Sequence, residues 1–325
     1  MGRVFITRAV PGDAVERLRT HGHEVQTWPE PLPPPADALA AALAESDGAL
    51  TTVVDRISPE MIQASSRLRI VANMAVGYDN IDPAKAGGLG VWVTNTPGVL
   101  AETTADFAWA LLMAAARNVV ASDRDTRAGG WKTWSPTGFL GPDVHGATLG
   151  IVGLGEIGQA MARRATGFGM RVLYASRSPK RAAEVALGCT NAGLDELLRG
   201  SDFVTLHTPL NAETRGLIGR RELALMKPSA ILVNTSRGPV VDQDALVDAL
   251  RAGAIAGAAL DVTDPEPLPV EHPLYGFSNV IITPHIASAS LATRSKMAAM
   301  AADNIIAVLD GREPLNAVNR PLKPR

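Results

Sequence analysis

One stretch, residues 148–178, limits what this chain can fold into more than any other. An apolar run at Leu149–Val152 predicts a buried strand, and a β-rich run at Arg171–Ala175 predicts a second one. An amphipathic helix lies between them and opens on a glycine-rich turn made of Gly153, Leu154, Gly155, Glu156, Ile157 and Gly158. Strand, glycine turn, helix and strand together distinguish a dinucleotide-binding fingerprint from a chance match to G-x-G-x-x-G.

Each glycine of the turn has a separate physical task. Gly153 permits the tight turn, Gly155 lets the backbone approach a pyrophosphate, and Gly158 lets the helix pack close to the strand. The free N–H groups and the positive end of the helix dipole would face the phosphates. We therefore expect a dinucleotide site here; the alternative is a tight βα turn that binds no ligand.

The composition is that of a globular protein with two domains. The 325 residues are 46% hydrophobic and 20% charged, which is enough for two cores. A net charge of −2 offers no footprint for nucleic acid or an anionic membrane, and no apolar run reaches the length of a membrane span. The histidines lack the spacing of metal ligands, so no metal is expected. A single cysteine, Cys189, and the absence of a targeting segment indicate a cytoplasmic protein.

Residues 1–95 alternate between predicted strands and predicted helices. The strands are Arg3–Thr7, Glu24–Trp28, Gly48–Val53, Leu68–Asn73 and Val91–Asn95. The helices are Pro11–His21, Ala36–Ala44, Pro59–Ala64 and Pro83–Ala86. This alternation predicts a doubly wound parallel sheet.

The alternation continues beyond residue 99 and predicts a second sheet of six strands. They are residues 149–153, 171–175, Phe203–His207, Ile231–Asn234, Ala256–Asp261 and Val280–Thr283. A final helix at 287–309 has no place in this sheet, so we expect it to return to the first domain. The predicted fold is α/β, with one doubly wound domain at residues 1–98 and 287–325 and a dinucleotide-binding domain at residues 99–286.

Two further segments bear on partner surfaces. A helix predicted at Glu102–Val120 is apolar on nearly all faces, which is typical of deep core or of a subunit interface. The segment Gly129–Asp143 is rich in Gly, Pro and Trp and predicts an irregular arm. Exposed tryptophans on this arm would favour a partner; the alternative is that the arm packs on its own domain.

The last three predicted strands of the second sheet lead to residues typical of catalysis, namely Arg237, Glu266 and His285. Ligands of an open parallel sheet bind beyond the carboxyl ends of its strands, so these residues share an edge with the glycine turn. Each alone could be a surface ion pair, a solvated acid or a helix cap. Their convergence favours a catalytic role.

The three side chains suit one reaction. Arg237 offers a planar fork of donors for a carboxylate and remains charged at any working pH. His285 can exchange a proton with a carbonyl or hydroxyl oxygen near neutral pH, and Glu266 would orient the imidazole and favour its protonated form. With a nicotinamide at the glycine turn, they predict hydride transfer coupled to proton transfer on a 2-keto or 2-hydroxy acid.

Seven motifs spread over nearly the whole chain point to one family. They are ANMAVGYDNID (72–82), TNTPGVLAETTADFA (94–108), GWKTWSPTGFLG (130–141), LGIVGLGEIG (149–158), VNTSRGPVVDQDAL (233–246), ALDVTDPEPLP (259–269) and ITPHIASA (282–289). In these motifs the chain resembles the D-isomer-specific 2-hydroxyacid dehydrogenases, most closely their glyoxylate/hydroxypyruvate reductase branch. The resemblance implies a Rossmann nucleotide-binding domain and a flavodoxin-like substrate domain with an interdomain cleft. It also implies a homodimer formed through the nucleotide-binding domain.

The same resemblance implies roles for individual residues. Arg237, Glu266 and His285 match the family's catalytic residues, with Arg237 and His285 also touching substrate. Further substrate contacts are implied for Val53, Val76, Gly77 and Trp134, the last matching a tryptophan that in relatives reaches the partner subunit's active site. Cofactor contacts are implied for the glycine turn and for Thr103, His207, Pro209, Thr235, Ser236 and Asp261.

The residues after the second strand of the fingerprint bear on the choice of cofactor. An enzyme that uses NAD normally has an Asp or Glu there to bind the ribose 2′-hydroxyl. This chain has Ser176, Arg177 and Ser178, so no acid repels a 2′-phosphate and Arg177 can bind one. NADP(H) is therefore the preferred cofactor in this interpretation, with NAD(H) as the alternative. Ala287 departs from the glycine that many relatives have close to the nicotinamide.

The expected function is NADPH-dependent reduction of a small 2-keto acid, glyoxylate or hydroxypyruvate, with no nucleic-acid or membrane partner. The alternatives within the family are another 2-keto acid, 3-phosphoglycerate, phosphite or formate as substrate. Nucleotide-sensing corepressors share the fold and do not need catalytic residues. The complete Arg, Glu and His set favours an enzyme.

Overall fold

The computed structural model describes all 325 residues, which form two compact units. The first unit contains residues 1–100 and 288–325, and the second contains residues 101–287. The strands are β1 (Arg3–Ile6), β2 (Glu24–Thr27), β3 (Gly48–Thr51), β4 (Ile70–Asn73), β5 (Trp92–Thr94), β6 (Thr148–Val152), β7 (Arg171–Ala175), β8 (Thr190–Asn191), β9 (Phe203–Leu206), β10 (Ile231–Asn234), β11 (Gly257–Leu260) and β12 (Val280–Ile282). The helices are α1 (Ala14–Thr20), α2 (Ala36–Ala44), α3 (Pro59–Ala64), α4 (Pro83–Gly88), α5 (Ala101–Ala116), α6 (Val119–Arg127), α7 (Glu156–Gly167), α8 (Arg181–Leu187), α9 (Leu194–Gly200), α10 (Arg220–Leu225), α11 (Gln243–Arg251) and α12 (Leu291–Leu309).

The first unit is built on a five-stranded parallel sheet in the order β2-β1-β3-β4-β5, the flavodoxin-like order. Strands β3, β4 and β5 are buried along their whole length, because helices cover both faces of a sheet of this kind. On one face, Ala301 and Ile305 of α12 share a core with Ile6, Leu50 and Ile70 of the strands. Helix α12, which follows the second unit in the sequence, therefore covers one face of the sheet formed by β1 to β5.

The second unit contains a parallel sheet of seven strands, in the order β12-β11-β10-β9-β6-β7-β8. This is the dinucleotide-binding order with a seventh strand added beside the sixth. The prediction of six strands is wrong by one, because β8 at the edge of the sheet was not expected. It pairs with β7 through Thr190 and Asn191, and two exposed residues present no apolar run.

The single helix predicted at Glu102–Val120 is also wrong. Helix α5 ends at Ala116, α6 begins at Val119, and Asn118 between them adopts a left-handed conformation with φ of 53°. Asparagine is one of the few residues that adopts this conformation at low cost. Its side-chain amide donates hydrogen bonds to the carbonyl oxygens of Phe139 and Leu140, at 3.3 and 3.1 Å, and so ties the junction to the arm.

Two helices begin later than the sequence predicts. Helix α1 begins at Ala14 rather than Pro11. Helix α12 begins at Leu291 rather than residue 287, because the Ser290 hydroxyl accepts a hydrogen bond from the N–H of Thr293 and caps the helix.

The segment predicted as an irregular arm, Gly129–Asp143, contains no helix or strand. Both of its tryptophans are exposed to solvent, Trp131 by 70% and Trp134 by 80%. No helix of the protein has both the length and the apolar character needed to span a lipid bilayer.

Candidate active site

The glycine turn leaves an open space at the beginning of α7. Gly153 adopts a φ of +97°, and a Cβ atom at Gly158 would lie 2.1 Å from the carbonyl oxygen of Gly153, so both positions require glycine. Gly155 is the N-cap of α7; it is exposed, and a Cβ atom there would meet nothing within 4 Å. No side chain caps the helix, so its first N–H groups remain available to an anion.

The loop after β7 carries Arg177, a residue expected to contact the cofactor. The Ser176 hydroxyl donates to the carbonyl oxygen of Ser178 at 2.6 Å, which closes a tight turn around Arg177. Arg177 is exposed and forms no ion pair in the protein, whereas Arg181 pairs with Glu184 at 2.9 Å. A free guanidinium and the absence of an acid at this strand end suit a phosphate group.

Several polar atoms near the ends of β9 and β10 are buried without a hydrogen-bond partner, among them Thr235 Oγ1, Thr208 Oγ1 and His207 Nδ1. His207 Nε2 lies 2.9 Å from the Thr205 hydroxyl, and burial lowers the pKa of His207 to about 3, so the ring is neutral. Buried polar atoms are normally satisfied, so unpaired ones at the carboxyl edge of a sheet fit a polar ligand. Together with the open glycine turn, they fit a dinucleotide.

The remaining residues expected at the cofactor occupy the same unit. Ser236 follows Thr235, is buried, and donates both its N–H and its hydroxyl to the side-chain oxygen of Asn234. Pro209 is exposed two residues beyond His207, and Thr103 is half-buried on α5.

His285 and Glu266 form a pair. The Nδ1 atom of His285 lies 2.8 Å from Glu266 Oε2, and the two side chains are 29% and 30% exposed. The other carboxylate oxygen of Glu266 accepts a hydrogen bond from the N–H of Thr263 at 3.1 Å. Glu266 is thus fixed to its own loop while it holds Nδ1 of the imidazole, which sets the orientation of the ring.

The loop that carries His285 is fastened to Asp261 at the end of β11. The Asp261 carboxylate accepts hydrogen bonds from the N–H groups of Ile286 and Ala287 at 2.9 and 2.8 Å, and from the Thr283 hydroxyl at 2.7 Å. Its backbone carbonyl accepts from the N–H of His285 at 2.9 Å. Burial raises the pKa of Asp261 despite these donors. Asp261 therefore shapes the histidine loop, a task that its sequence motif alone did not indicate.

Arg237 follows β10 on a segment that packs against the loop leading to Glu266. The side-chain amide of Asn234 donates to the carbonyl oxygen of Arg237 at 2.9 Å. A Cβ atom at Gly238 would lie 1.9 Å from the carbonyl oxygen of Thr263, so only glycine permits this approach. Arg237, Glu266 and His285 thus follow three adjacent strands, β10, β11 and β12, in one sheet.

The substrate residues expected in the first unit lie at the carboxyl edge of its sheet. Val53 follows β3, and Val76 and Gly77 lie in the loop after β4; all three are partly exposed. The N–H groups of Val76, Gly77 and Tyr78 donate no hydrogen bond within the protein. In the second unit, Trp134 of the arm forms no hydrogen bond or ring contact.

Sequence reasoning missed the residues that support these groups. Asn73 and Asn95 hold the loop containing Val76 and Gly77, and Asn234 holds Arg237. One sequence signal could have found these asparagines: each is a polar residue at or just beyond the carboxyl end of a buried apolar run.

Comparison with known proteins agrees with this architecture. Residues 109–287 match the family model described as D-isomer specific 2-hydroxyacid dehydrogenase, NAD binding domain. A protein named glyoxylate reductase from Korarchaeum cryptofilum is 51% identical over 319 residues, which cover 98% of this chain and 96% of the relative.

Solved structures agree as well. The TT0316 protein from Thermus thermophilus superposes with a TM-score of 0.92 at 49% identity, covering 97% of this chain and 99% of that one. The NADPH-dependent glyoxylate/hydroxypyruvate reductase from Sinorhizobium meliloti, in complex with NADP and malonate, has a TM-score of 0.86 at 33% identity, covering 99% and 98% of the two chains. This chain therefore belongs to the D-isomer specific 2-hydroxyacid dehydrogenase family and is an oxidoreductase with an NAD(P)-binding domain.

Proposed function

We propose that this protein reduces the small 2-keto acids glyoxylate and hydroxypyruvate, with NADPH as the preferred cofactor. The observation that carries the proposal is the 2.8 Å contact between His285 and Glu266 at the sheet edge that also bears the glycine turn. Further support comes from the relatives: the K. cryptofilum protein is named glyoxylate reductase, and the S. meliloti enzyme is named NADPH-dependent.

In this proposal the second unit binds the dinucleotide and the first unit supplies loops that bind substrate. The nicotinamide, when bound, supplies a hydride for the keto carbon. Arg237 binds the keto acid and polarises it through its charged donors. The carboxylate of the substrate is held by the unpaired N–H groups at Val76 and Gly77, and Val53 lines the same edge.

His285 supplies the proton for the keto oxygen. Because Nδ1 is engaged by Glu266, the proton to be transferred is on Nε2. Glu266 fixes the orientation of the ring and stabilises the imidazolium before transfer. The keto carbon gains a hydride and its oxygen gains a proton, so the product is the 2-hydroxy acid with its carboxylate unchanged.

The preference for NADPH rests on Arg177. Its guanidinium has no acidic partner in the protein, and the turn closed by Ser176 and Ser178 presents it at the end of β7. In enzymes of this fold, the group that binds the 2′-hydroxyl or 2′-phosphate of the ribose is found at this position.

The experiment that tests the function is the loss of nicotinamide absorbance with glyoxylate and with hydroxypyruvate, using NADPH and NADH in parallel. Fast oxidation of NADPH and slow oxidation of NADH is the expected result. Activity with NADH alone would overturn the cofactor preference and leave the reaction intact. No activity with either keto acid would overturn the substrate assignment, and other 2-keto acids, 3-phosphoglycerate, phosphite and formate would be assayed next.

We also propose a homodimer formed through the second unit. The support is the arm, whose tryptophans Trp131 and Trp134 are both exposed to solvent, because aromatic side chains are enriched at protein interfaces.

A further inference from the structure

In the loop after β4, the carbonyl oxygens of three consecutive residues all accept hydrogen bonds from residues at or just beyond the ends of β4 and β5. The carbonyl oxygen of Ala75 accepts a hydrogen bond from the N–H of Thr96 at 2.8 Å. The carbonyl oxygen of Val76 accepts from Asn95 Nδ2 at 2.9 Å, and that of Gly77 accepts from Asn73 Nδ2 at 3.0 Å. Each of these three carbonyl oxygens therefore already has a hydrogen-bond donor within the first unit.

The orientation of the carbonyls determines the orientation of the amides. In a planar trans peptide the C=O bond and the following N–H bond point in opposite directions. The N–H groups of Val76, Gly77 and Tyr78 consequently point away from Asn73, Asn95 and Thr96. None of these three N–H groups donates a hydrogen bond in the protein, and Tyr78 is 40% exposed. Successive unpaired backbone N–H groups of this kind form a concave site for an anion.

Asn73 is well suited to hold this arrangement. It is fully buried, and its side-chain oxygen accepts hydrogen bonds from the Thr51 hydroxyl at 3.3 Å and from Asn80 Nδ2 at 3.4 Å. Asn80 Nδ2 is fixed in turn by the carbonyl oxygens of Thr52 and Asp55 at 3.1 and 2.8 Å. Because the oxygen of Asn73 faces donors, its NH₂ group is the one directed at Gly77.

We propose that Asn73 and Asn95 are positioning residues, which orient the amides of Val76, Gly77 and Tyr78 to bind the carboxylate of the 2-keto acid. The inference rests on the proposed function, because it takes that carboxylate to be the anion. Asn73 acts through Gly77 and Asn95 through Val76. Tyr78 is added to the substrate-binding residues by its backbone N–H.

The test compares Asn73→Ala and Asn95→Ala with a matched control, Asn319→Ala. Asn319 belongs to the same unit and makes the same kind of contacts. Its NH₂ group donates to the carbonyl oxygens of Pro83 and Val91, and its oxygen accepts from the N–H of Val93. Its side chain lies on a different segment, so its loss reports the general cost of removing a half-buried asparagine that holds backbone groups.

Three quantities are measured for each variant: KM for glyoxylate, the Kd of oxalate as a non-reacting carboxylate probe in the presence of NADPH, and the Kd of NADPH. We expect Asn73→Ala and Asn95→Ala to raise KM and the Kd of oxalate about tenfold or more. The Kd of NADPH should change less than about twofold, and Asn319→Ala should change none of the three. Asn95 is half-buried, so Asn95→Ala keeps the test available if Asn73→Ala does not fold.

The failures are distinguishable. If wild-type protein reduces glyoxylate and both variants keep its KM and the Kd of oxalate, the positioning role is overturned and the proposed function stands. If KM rises equally in Asn319→Ala, the effect is a general loss of stability and the inference is again overturned. Wild-type protein that neither reduces a keto acid nor binds oxalate would overturn the proposed function, and the inference with it.

Discussion

The N–H groups of His285 and of the two residues after it all donate hydrogen bonds to Asp261. His285 itself has a φ of +54°, a backbone conformation that costs a residue other than glycine on the order of 1–3 kcal/mol. The contacts of Asp261 hold the loop in this conformation, and Glu266 then fixes the ring. Backbone and side chain of the histidine are therefore both set before a substrate arrives.

At the residue scale, the first prediction concerns His285. His285→Ala should lower kcat with glyoxylate by about 10²–10⁴-fold, because the proton donor is lost. The Kd of NADPH, measured by quenching of protein fluorescence, should remain close to that of wild type. His145→Ala, which removes an exposed histidine of the same unit, is the control and should leave both values unchanged. Loss of NADPH binding together with turnover would contradict the role assigned to His285.

The second prediction at this scale concerns Arg177. Arg177→Ala should raise KM for NADPH by about tenfold or more and leave KM for NADH nearly unchanged, because only NADPH carries the 2′-phosphate. The matched control is Arg181→Ala, since Arg181 is also exposed but is paired with Glu184. Equal effects of Arg177→Ala on the two cofactors would rule out the 2′-phosphate contact.

At the scale of elements, the sequence predicts best where burial is complete. The inner strands of both sheets are apolar runs, so the fold class could be predicted from the pattern. The pattern also placed the candidate residues Arg237, Glu266 and His285 beyond the carboxyl ends of β10, β11 and β12, where the structure has them. Strand β8 could not be predicted from the pattern, because its two residues are exposed. The break between α5 and α6 at Asn118 could not be predicted either, because Val119 and Val120 continue the apolar pattern past it.

The supporting residues were inaccessible for another reason. The roles of Asn73, Asn95 and Asp261 consist of contacts to backbone groups of loops, and loop geometry does not follow from the periodicity of residue types. A sequence shows that a polar residue ends a strand. Only the fold shows which carbonyl or N–H group it meets.

The third prediction belongs to this scale and concerns pH. Asp202 joins β6, β9 and the loop after α10 in the second unit: it accepts the N–H of Thr148 at the start of β6, precedes β9, and contacts Lys227 at 2.7 Å. Burial alone would raise the pKa of Asp202, but the hydrogen bonds from Lys227 and Thr148 hold it below its ordinary value. A lowered carboxyl pKa contributes stability above the unfolded pKa, which is lost as pH falls through the folded pKa.

Asp202→Asn should therefore lower the Tm by a few degrees at pH 7, and the difference from wild type should shrink below about pH 4. Thermal unfolding followed by circular dichroism, at pH 7 and again below about pH 4, measures this difference in Tm. Asp195→Asn, which breaks the exposed pair with Arg221, should change the Tm little at either pH. If the Tm of Asp202→Asn stays below that of wild type by the same amount at every pH, the charge of Asp202 is not what stabilises the fold.

At the scale of the whole molecule, the exposed arm predicts self-association. Replacing both Trp131 and Trp134 by Ser should shift the mass measured by light scattering from that of a dimer to that of a monomer, because large aromatic side chains dominate interface energies. Val185→Ser is the control, since Val185 is 89% exposed and belongs to α8 rather than to the arm. A monomeric wild-type protein would overturn the proposed dimer, and a dimer that survives the double substitution would place its interface elsewhere.

The discontinuity of the first unit also bears on how the chain is made. The strands β1 to β5 leave the ribosome before residues 101–287, but α12, which covers Ile6, Leu50 and Ile70, leaves it after them. Synthesis of residues 101–287 intervenes, and at about 5–20 residues per second this takes on the order of ten to forty seconds. The second unit can finish folding during synthesis, whereas the first sheet keeps an apolar face open to water throughout that interval. The five strands of the first sheet are therefore translated before the second unit, but the helix that buries one of their faces is translated only after it.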